Sequence, residues 1–119
     1  MSADESKAII QRLFETVWNG KNLDALDEFY AAEYRLNGAP NSPEQTREVW
    51  RGIFANTPDM HLTIEDTIIA EGDKVAYRWA SHGTNTSTGK PERYRGMTFL
   101  RIADGKIVED WYNAEAIEE

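Results

Sequence analysis

The apolar residues change their spacing once, near residue 60, and that change bounds the fold class. Before it the spacing is helical. Ala8, Ile9, Leu13, Phe14, Val17 and Trp18 recur close to a 3.6-residue period. Ser2 or Asp4 suits the start of this helix, and Asn19-Gly20 its end. Leu23, Leu26, Phe29 and Tyr30 predict a short second helix, and "YRL" at 34–36 a short extended piece. "SPEQ" at 42–45 predicts a third start: Ser42 as cap, Pro43 in the first turn, Gln45 where a capping box wants Glu or Gln. Val49, Trp50, Ile53 and Phe54 line that helix, and Pro58 ends it.

After residue 60 the spacing is that of strands. A first strand is predicted from His61 to Ala70, followed by the turn "EGDK" at 71–74. "KVAYRWASHGT" follows, then the polar loop "NTSTGKPE", then "RYRGMTFLRI". "ADGK" makes a further tight turn before "GKIVEDWYNAE". Three helices and then a four-stranded antiparallel meander make an α+β fold, with the helices covering one sheet face. Alternation sorts the strand residues but leaves open which set meets the helices. Ala76, Arg78, Ala80 and His82 stand against Val75, Tyr77, Trp79 and Ser81. Tyr94, Gly96, Thr98 and Leu100 stand against Arg93, Arg95, Met97 and Phe99. Val108, Asp110 and Tyr112 stand against Ile107, Glu109 and Trp111.

The 119 residues predict one domain over 1–119, long enough for a core without disulfides or metal. The net charge of −8 argues against nucleic acid or an anionic membrane as partner. There is no cysteine, and two histidines 21 residues apart form no metal-ligand pattern. The first 20 residues lack a basic segment followed by an apolar run, so the expectation is a cytoplasmic protein.

"KNLDALDEFYAAEY", "EGDKVAYRWASHGT" and "RYRGMTFLRIADGKIVEDW" together resemble the SnoaL-like polyketide cyclase family, within the NTF2-like, ketosteroid-isomerase-like group. The resemblance covers about residues 5 to 115. It implies a cone: a curved antiparallel sheet wrapped round three N-terminal helices, with a blind pocket and dimers formed through the outer sheet face. It implies a hydrophobic small molecule as ligand or substrate, and no cofactor. It places Asp110, Tyr112, Thr98 and Arg78 as the catalytic set, with Asn37, Trp50, Ala80, Tyr94, Leu100 and Val108 lining the pocket. The chain departs from the family at three places. Cyclases usually carry His where Thr98 stands, Asp where Tyr112 stands, and often a His-Asp pair where Asn37-Gly38 stands.

Asp110 is then the remaining acid or base. A carboxylate facing an apolar cavity has a raised pKa and can take a proton from an acidic C–H. The plain alternative is a half-exposed strand residue paired with Arg78. Tyr112 and Thr98 suit hydrogen bonds to an enolate oxygen, with Arg78 or Asn37 assisting; the alternative is ordinary strand composition. Glu109 reads as structural, bound to backbone or an arginine. His82 ends its strand where a pocket rim could lie, although a surface imidazole is the simpler reading for both histidines. Three functions fit: a cofactor-independent isomerase or cyclase, a non-catalytic binding module, and an epoxide hydrolase. The last needs a second carboxylate beside Arg78, because Ala76 and Tyr112 replace that activity's acids.

Overall fold

A computed structural model describes residues 2–117. The first helix, α1, spans Ala3–Leu13 and begins with a reciprocal capping box between Ser2 and Glu5. A wider π turn, Phe14–Trp18, continues it, closed by the Asn19 N–H donating to the Phe14 carbonyl at 2.8 Å. A 3₁₀ turn over Leu23–Ala25 leads into the short helix α2, Leu26–Phe29. Strand β1, Tyr30–Leu36, and strand β2, Ala39–Asn41, form a hairpin through Asn37-Gly38. Both turn residues have positive φ, 51° and 86°, as a two-residue primed turn requires. Helix α3, Pro43–Asn56, starts as expected, with the Ser42 hydroxyl accepting from the Gln45 N–H. Strands β3 (His61–Glu71), β4 (Lys74–Thr84), β5 (Pro91–Ala103) and β6 (Lys106–Ala116) follow. No helix among the described residues is long and apolar enough to cross a membrane.

The predicted meander is present, but the sheet has six strands, ordered β2-β1-β6-β5-β4-β3, curved and unclosed. The extra strands come from a segment expected to be partly helical. Tyr30 begins β1 rather than ending a helix, and β1 pairs parallel with β6. The concave face meets the helices. Ile10, Leu13 and Val17 are fully buried beneath it, as are Leu100 and Ile107, with Val75 nearly so. Each such side chain contributes about 1.5–3 kcal/mol relative to exposure.

One irregularity in β6 sets the site. Glu109 lies opposite Arg101 and Ile107 opposite Ile102, so Val108 is an extra residue, a β-bulge. Beyond the bulge the alternation reverses phase. Ile107 and Asp110, three residues apart, therefore both face the helices.

Arg47, unremarked in the sequence, anchors α3. Its side chain is buried, with Nε donating to the Leu23 carbonyl at 3.1 Å and a guanidinium nitrogen 2.9 Å from Asp27. This fixes α3 across the open end of the cone.

Candidate active site

Between the sheet and the helices lies a cavity of about 180 Å³. Phe14 and Trp18 line it from the first helical segment, and Thr46, Val49, Trp50 and Ile53 from α3. Tyr30, Tyr34 and Leu36 line it from β1, Tyr77 and Trp79 from β4, Thr98 from β5, and Asp110 and Tyr112 from β6. Val49 is 62% and Tyr112 42% exposed, which marks the open side.

Asp110 is the buried charge of this wall. Cross-strand from it stands Leu100, fully buried, and on the other side Leu36. Its Oδ2 accepts a hydrogen bond from the Tyr30 hydroxyl at 3.2 Å, while its Oδ1 is buried with no partner. Burial pushes the carboxyl up to about 6, against a smaller downward pull from the Tyr30 hydroxyl. Tyr30 is itself held well above its ordinary pKa, chiefly by burial and then by Asp110 beside it, so it remains a donor.

The turn Asn37-Gly38 holds this part of β6 in place. The Asn37 N–H donates to the Asp110 carbonyl, and the Asn37 Oδ1 accepts from the Tyr112 N–H, both at 2.8 Å. Gly38 leaves room for Trp111, whose indole would stand 3.2 Å from any Cβ added there. Asn37 is thus a positioning residue: its side-chain oxygen is occupied by backbone, which corrects the expectation of a ligand contact. The Asn-Gly pair, a strong hairpin signal, is the feature that could have revealed it.

The cavity also brings together Thr98, Tyr112 and Trp50. The Thr98 Oγ1 accepts from the Trp79 indole N–H at 2.9 Å. Trp50 stacks at a tilt on Trp18, centroids 4.5 Å apart, and makes an aromatic wall. Tyr34 reaches across to α3, where its hydroxyl and that of Thr46 hydrogen-bond.

Several expected members lie elsewhere. Arg78 is on the convex face, about half exposed, 3.4 Å from Asp66. Neither its expected place in the cavity nor its pairing with Asp110 is found, because Tyr77 and Trp79 are the β4 residues that meet the helices. The carboxylate an epoxide hydrolase would need beside Arg78 does exist as Asp66, but the pair sits outside the cavity. Ala80 shares the face of Arg78. Tyr94 is on the concave side by alternation, but lies at the far end of β5, donating to Glu92 at 3.2 Å. Leu100 is packed solid in the core, and Val108 is the bulge residue, out of phase with Asp110. His82 faces His61 across the strands with ring centroids 5.8 Å apart, both exposed on the convex side and away from the cavity rim. Glu109 does pair with an arginine, Arg101, at 3.4 Å.

The fold has known counterparts. The sequence profile of the SnoaL-like domain matches residues 10–110. IdmH of Streptomyces antibioticus, a proposed polyketide cyclase, is 28% identical, with a TM-score of 0.80 over 92% of this chain and 91% of that one. A proposed polyketide cyclase from Bacillus cereus is 25% identical, with a TM-score of 0.81 over 95% of this chain and 76% of that one. TsrD from Streptomyces laurentii, 19% identical, shares the fold with a TM-score of 0.85 over 97% of this chain and 91% of that one. No curated protein sequence matches at a significant level. With the profile covering most of the sequence, the chain belongs to the SnoaL-like domain family, on an NTF2-like α+β cone.

Proposed function

We propose that the cavity takes a small hydrophobic carbonyl compound, and that Asp110 removes a proton from the carbon beside the carbonyl, leading to isomerisation or aldol-type ring closure. The observation behind this reading is the Asp110 carboxylate: buried in an aromatic cavity wall, with Oδ1 unpartnered. A carboxyl with a pKa of about 6 is mostly ionised at neutral pH, yet more basic than an exposed one. No cofactor enters a scheme of proton transfer. The test is a panel of steroid-like, anthraquinone-like and monoterpene carbonyl compounds. Binding is followed by tryptophan fluorescence and proton abstraction by deuterium exchange beside the carbonyl. Exchange in the wild type that vanishes in Asp110→Asn, with binding retained, is the expected result. Full exchange in that variant removes Asp110 from the mechanism.

A second reading is a binding module for the same kind of molecule. It is favoured by Thr98 and Tyr112 standing where cyclases carry His and Asp, with the Thr98 oxygen engaged by Trp79. Saturable quenching without exchange or conversion across the panel would select it.

The convex face supports a homodimer as the working form. Ile69, Ala76, Phe99 and Trp111 are cross-strand neighbours there, and Ile69, Phe99 and Trp111, with nearby Met97, are exposed. Sedimentation should give twice the chain mass, and Trp111→Lys half of that. A wild-type monomer at micromolar concentration removes the dimer.

A further inference from the structure

We propose that the cavity is a cation site: it takes a small protonated amine carried on a single ring, with the ammonium at the Asp110 carboxylate and the aromatic wall around it. The proposal needs Asp110 to be ionised and to line the cavity. It does not need Asp110 to act as a base, and so goes beyond the proton-transfer reading.

Charge makes the first part of the case. Asp110 is the one charged residue of the cavity wall, and no Lys, Arg or His among the described residues lines it. The first helical segment, α3, β3 and β5 contribute no titratable side chain to the wall. Its other titratable groups are phenols. Burial holds Tyr30, Tyr34 and Tyr77 above their ordinary pKa, so these three stay neutral, and Tyr112 stands half exposed at the open side. The buried cation among the described residues, Arg47, is committed elsewhere, to the Leu23 carbonyl, Asp27 and Glu44. Tyr30 donates to the Asp110 Oδ2, and Oδ1 has no partner. Folding has thus already stripped water from this carboxylate and supplied no counter-ion. A cationic ligand meets only its own desolvation cost and regains the full attraction of a buried pair. An anion meets the same charge with the opposite sign.

The wall makes the second part. Half of the residues that line the cavity are aromatic. Trp18 and Trp50 pack with centroids 4.5 Å apart, Tyr30 and Tyr34 at 4.8 Å, and Phe14 and Tyr77 at 5.5 Å. Aromatic faces carry negative potential and hold ammonium groups within reach of the ring. The chain uses this contact next door: the Lys21 ammonium stands 5.2 Å from the Phe54 centroid, and Phe54 packs on Trp50.

Volume limits the ligand. The cavity measures about 180 Å³. An apolar cavity of about 150 Å³ holds one benzene, whereas sites for drug-sized ligands run from about 300 Å³ upward. One ring with a short arm ending in an ammonium fits inside; three fused rings do not.

The test compares benzylamine, benzyl alcohol and benzoate, which put a positive, a neutral and a negative polar group on the same ring. Calorimetry at neutral pH gives the affinities. Benzylamine should bind at least 10-fold more tightly than benzyl alcohol, and benzoate most weakly. Asp110→Asn should abolish the preference for benzylamine over benzyl alcohol. In the wild type, benzylamine affinity should fall about 10-fold per pH unit below pH 6, as Asp110 takes up a proton, with benzyl alcohol unchanged. That pH series decides the matter should Asp110→Asn fold poorly. 9-(Aminomethyl)anthracene should bind at least 10-fold more weakly than benzylamine, and Trp50→Ala should narrow the gap. Equal affinity for benzylamine and benzyl alcohol, a preference that survives in Asp110→Asn or below pH 6, tighter binding of benzoate, or no saturable benzylamine binding at millimolar concentration would each overturn the cation site. Anthracene-amine binding as tight as that of benzylamine would overturn the single-ring limit. The two readings of the cavity fail separately. Asp110-dependent deuterium exchange without any preference for the amine removes the cation site and leaves the base. An Asp110-dependent preference for the amine without exchange in any carbonyl compound leaves the cation site and removes the base.

Discussion

The two faces of the sheet use the same residue types to opposite ends. On the convex face Arg78, Arg95 and Arg101 each have a carboxylate in contact and a partly exposed side chain. Arg78 meets Asp66 at 3.4 Å, Arg95 meets Glu115 at 2.6 Å and Arg101 meets Glu109 at 3.4 Å. Such pairs contribute about 0–1 kcal/mol each. On the concave face, among the described residues, Asp110 has one phenol at Oδ2, no ion pair and no partner at Oδ1. The outer charges are compensated and of little consequence; the inner one lacks a counter-ion among the described residues and has its pKa raised by burial. Burial and the missing counter-ion make the difference, since the residue type is the same.

The largest expected effect of breaking that contrast is Asp110→Asn. If proton transfer is the activity, its rate should fall about 10²–10⁴-fold, as removal of a general base does. In kcal/mol, the next effect is on stability. A carboxyl whose pKa is raised from 3.8 to about 6 on folding favours the folded state while protonated. That contribution is present below about pH 4 and is lost as pH rises through about 6. The loss approaches about 3 kcal/mol, at about 1.4 kcal/mol per pKa unit. Denaturant unfolding between pH 4 and 8 should show the decline, and Asp110→Asn should flatten it and be the more stable protein at pH 8. A wild-type curve without the decline would mean that Asp110 is solvated in solution.

Tyr30→Phe sharpens the comparison further. It removes the hydrogen bond that lowers the Asp110 pKa. The rising limb of the pH–rate profile, expected near pH 6 in the wild type, should move to higher pH. A shift to lower pH would show that the Tyr30 bond favours the protonated carboxyl. The smallest effect belongs outside. Arg78→Ala should leave activity within about twofold and stability within about 1 kcal/mol by thermal melting. A large loss of activity there would return Arg78 to the site.

What could be read from the sequence was what is local. The caps at Ser2 and Ser42 and the tight turns of the meander depend on residues close in the chain, and all are found. The family resemblance added the cone. Strand β1 was largely hidden because its partner is β6, some 75 residues away, and its register slips between Tyr30 and Arg35. The site was half legible. Asp110, Tyr112, Thr98 and Trp50 line the cavity, but Arg78 and Ala80 were assigned to the wrong face of β4. Alternation alone could not choose between Ala76-Arg78-Ala80 and Val75-Tyr77-Trp79, since neither set is purely polar or apolar. Gly96 was the available clue: a glycine inside an apolar strand marks the close approach of something flat, and here that is Trp79. Val108 was misplaced because a strict two-residue period cannot anticipate an inserted residue.

That inserted residue makes β6 two half-strands spliced in antiphase. The half before the splice belongs to the core through Ile107; the half after it belongs to the cavity through Asp110 and Tyr112. Backbone pairing with β5 and β1 carries the register through the second half, so residues 109–114 form a cassette in which the side chains of Asp110 and Tyr112 can change while Ile107 keeps its place in the core. A one-residue deletion at position 108 would join the halves in phase and force a choice between a buried Ile107 and an inward Asp110. Diversification on this scaffold is therefore easy by substitution in the cassette and hard by deletion at its boundary.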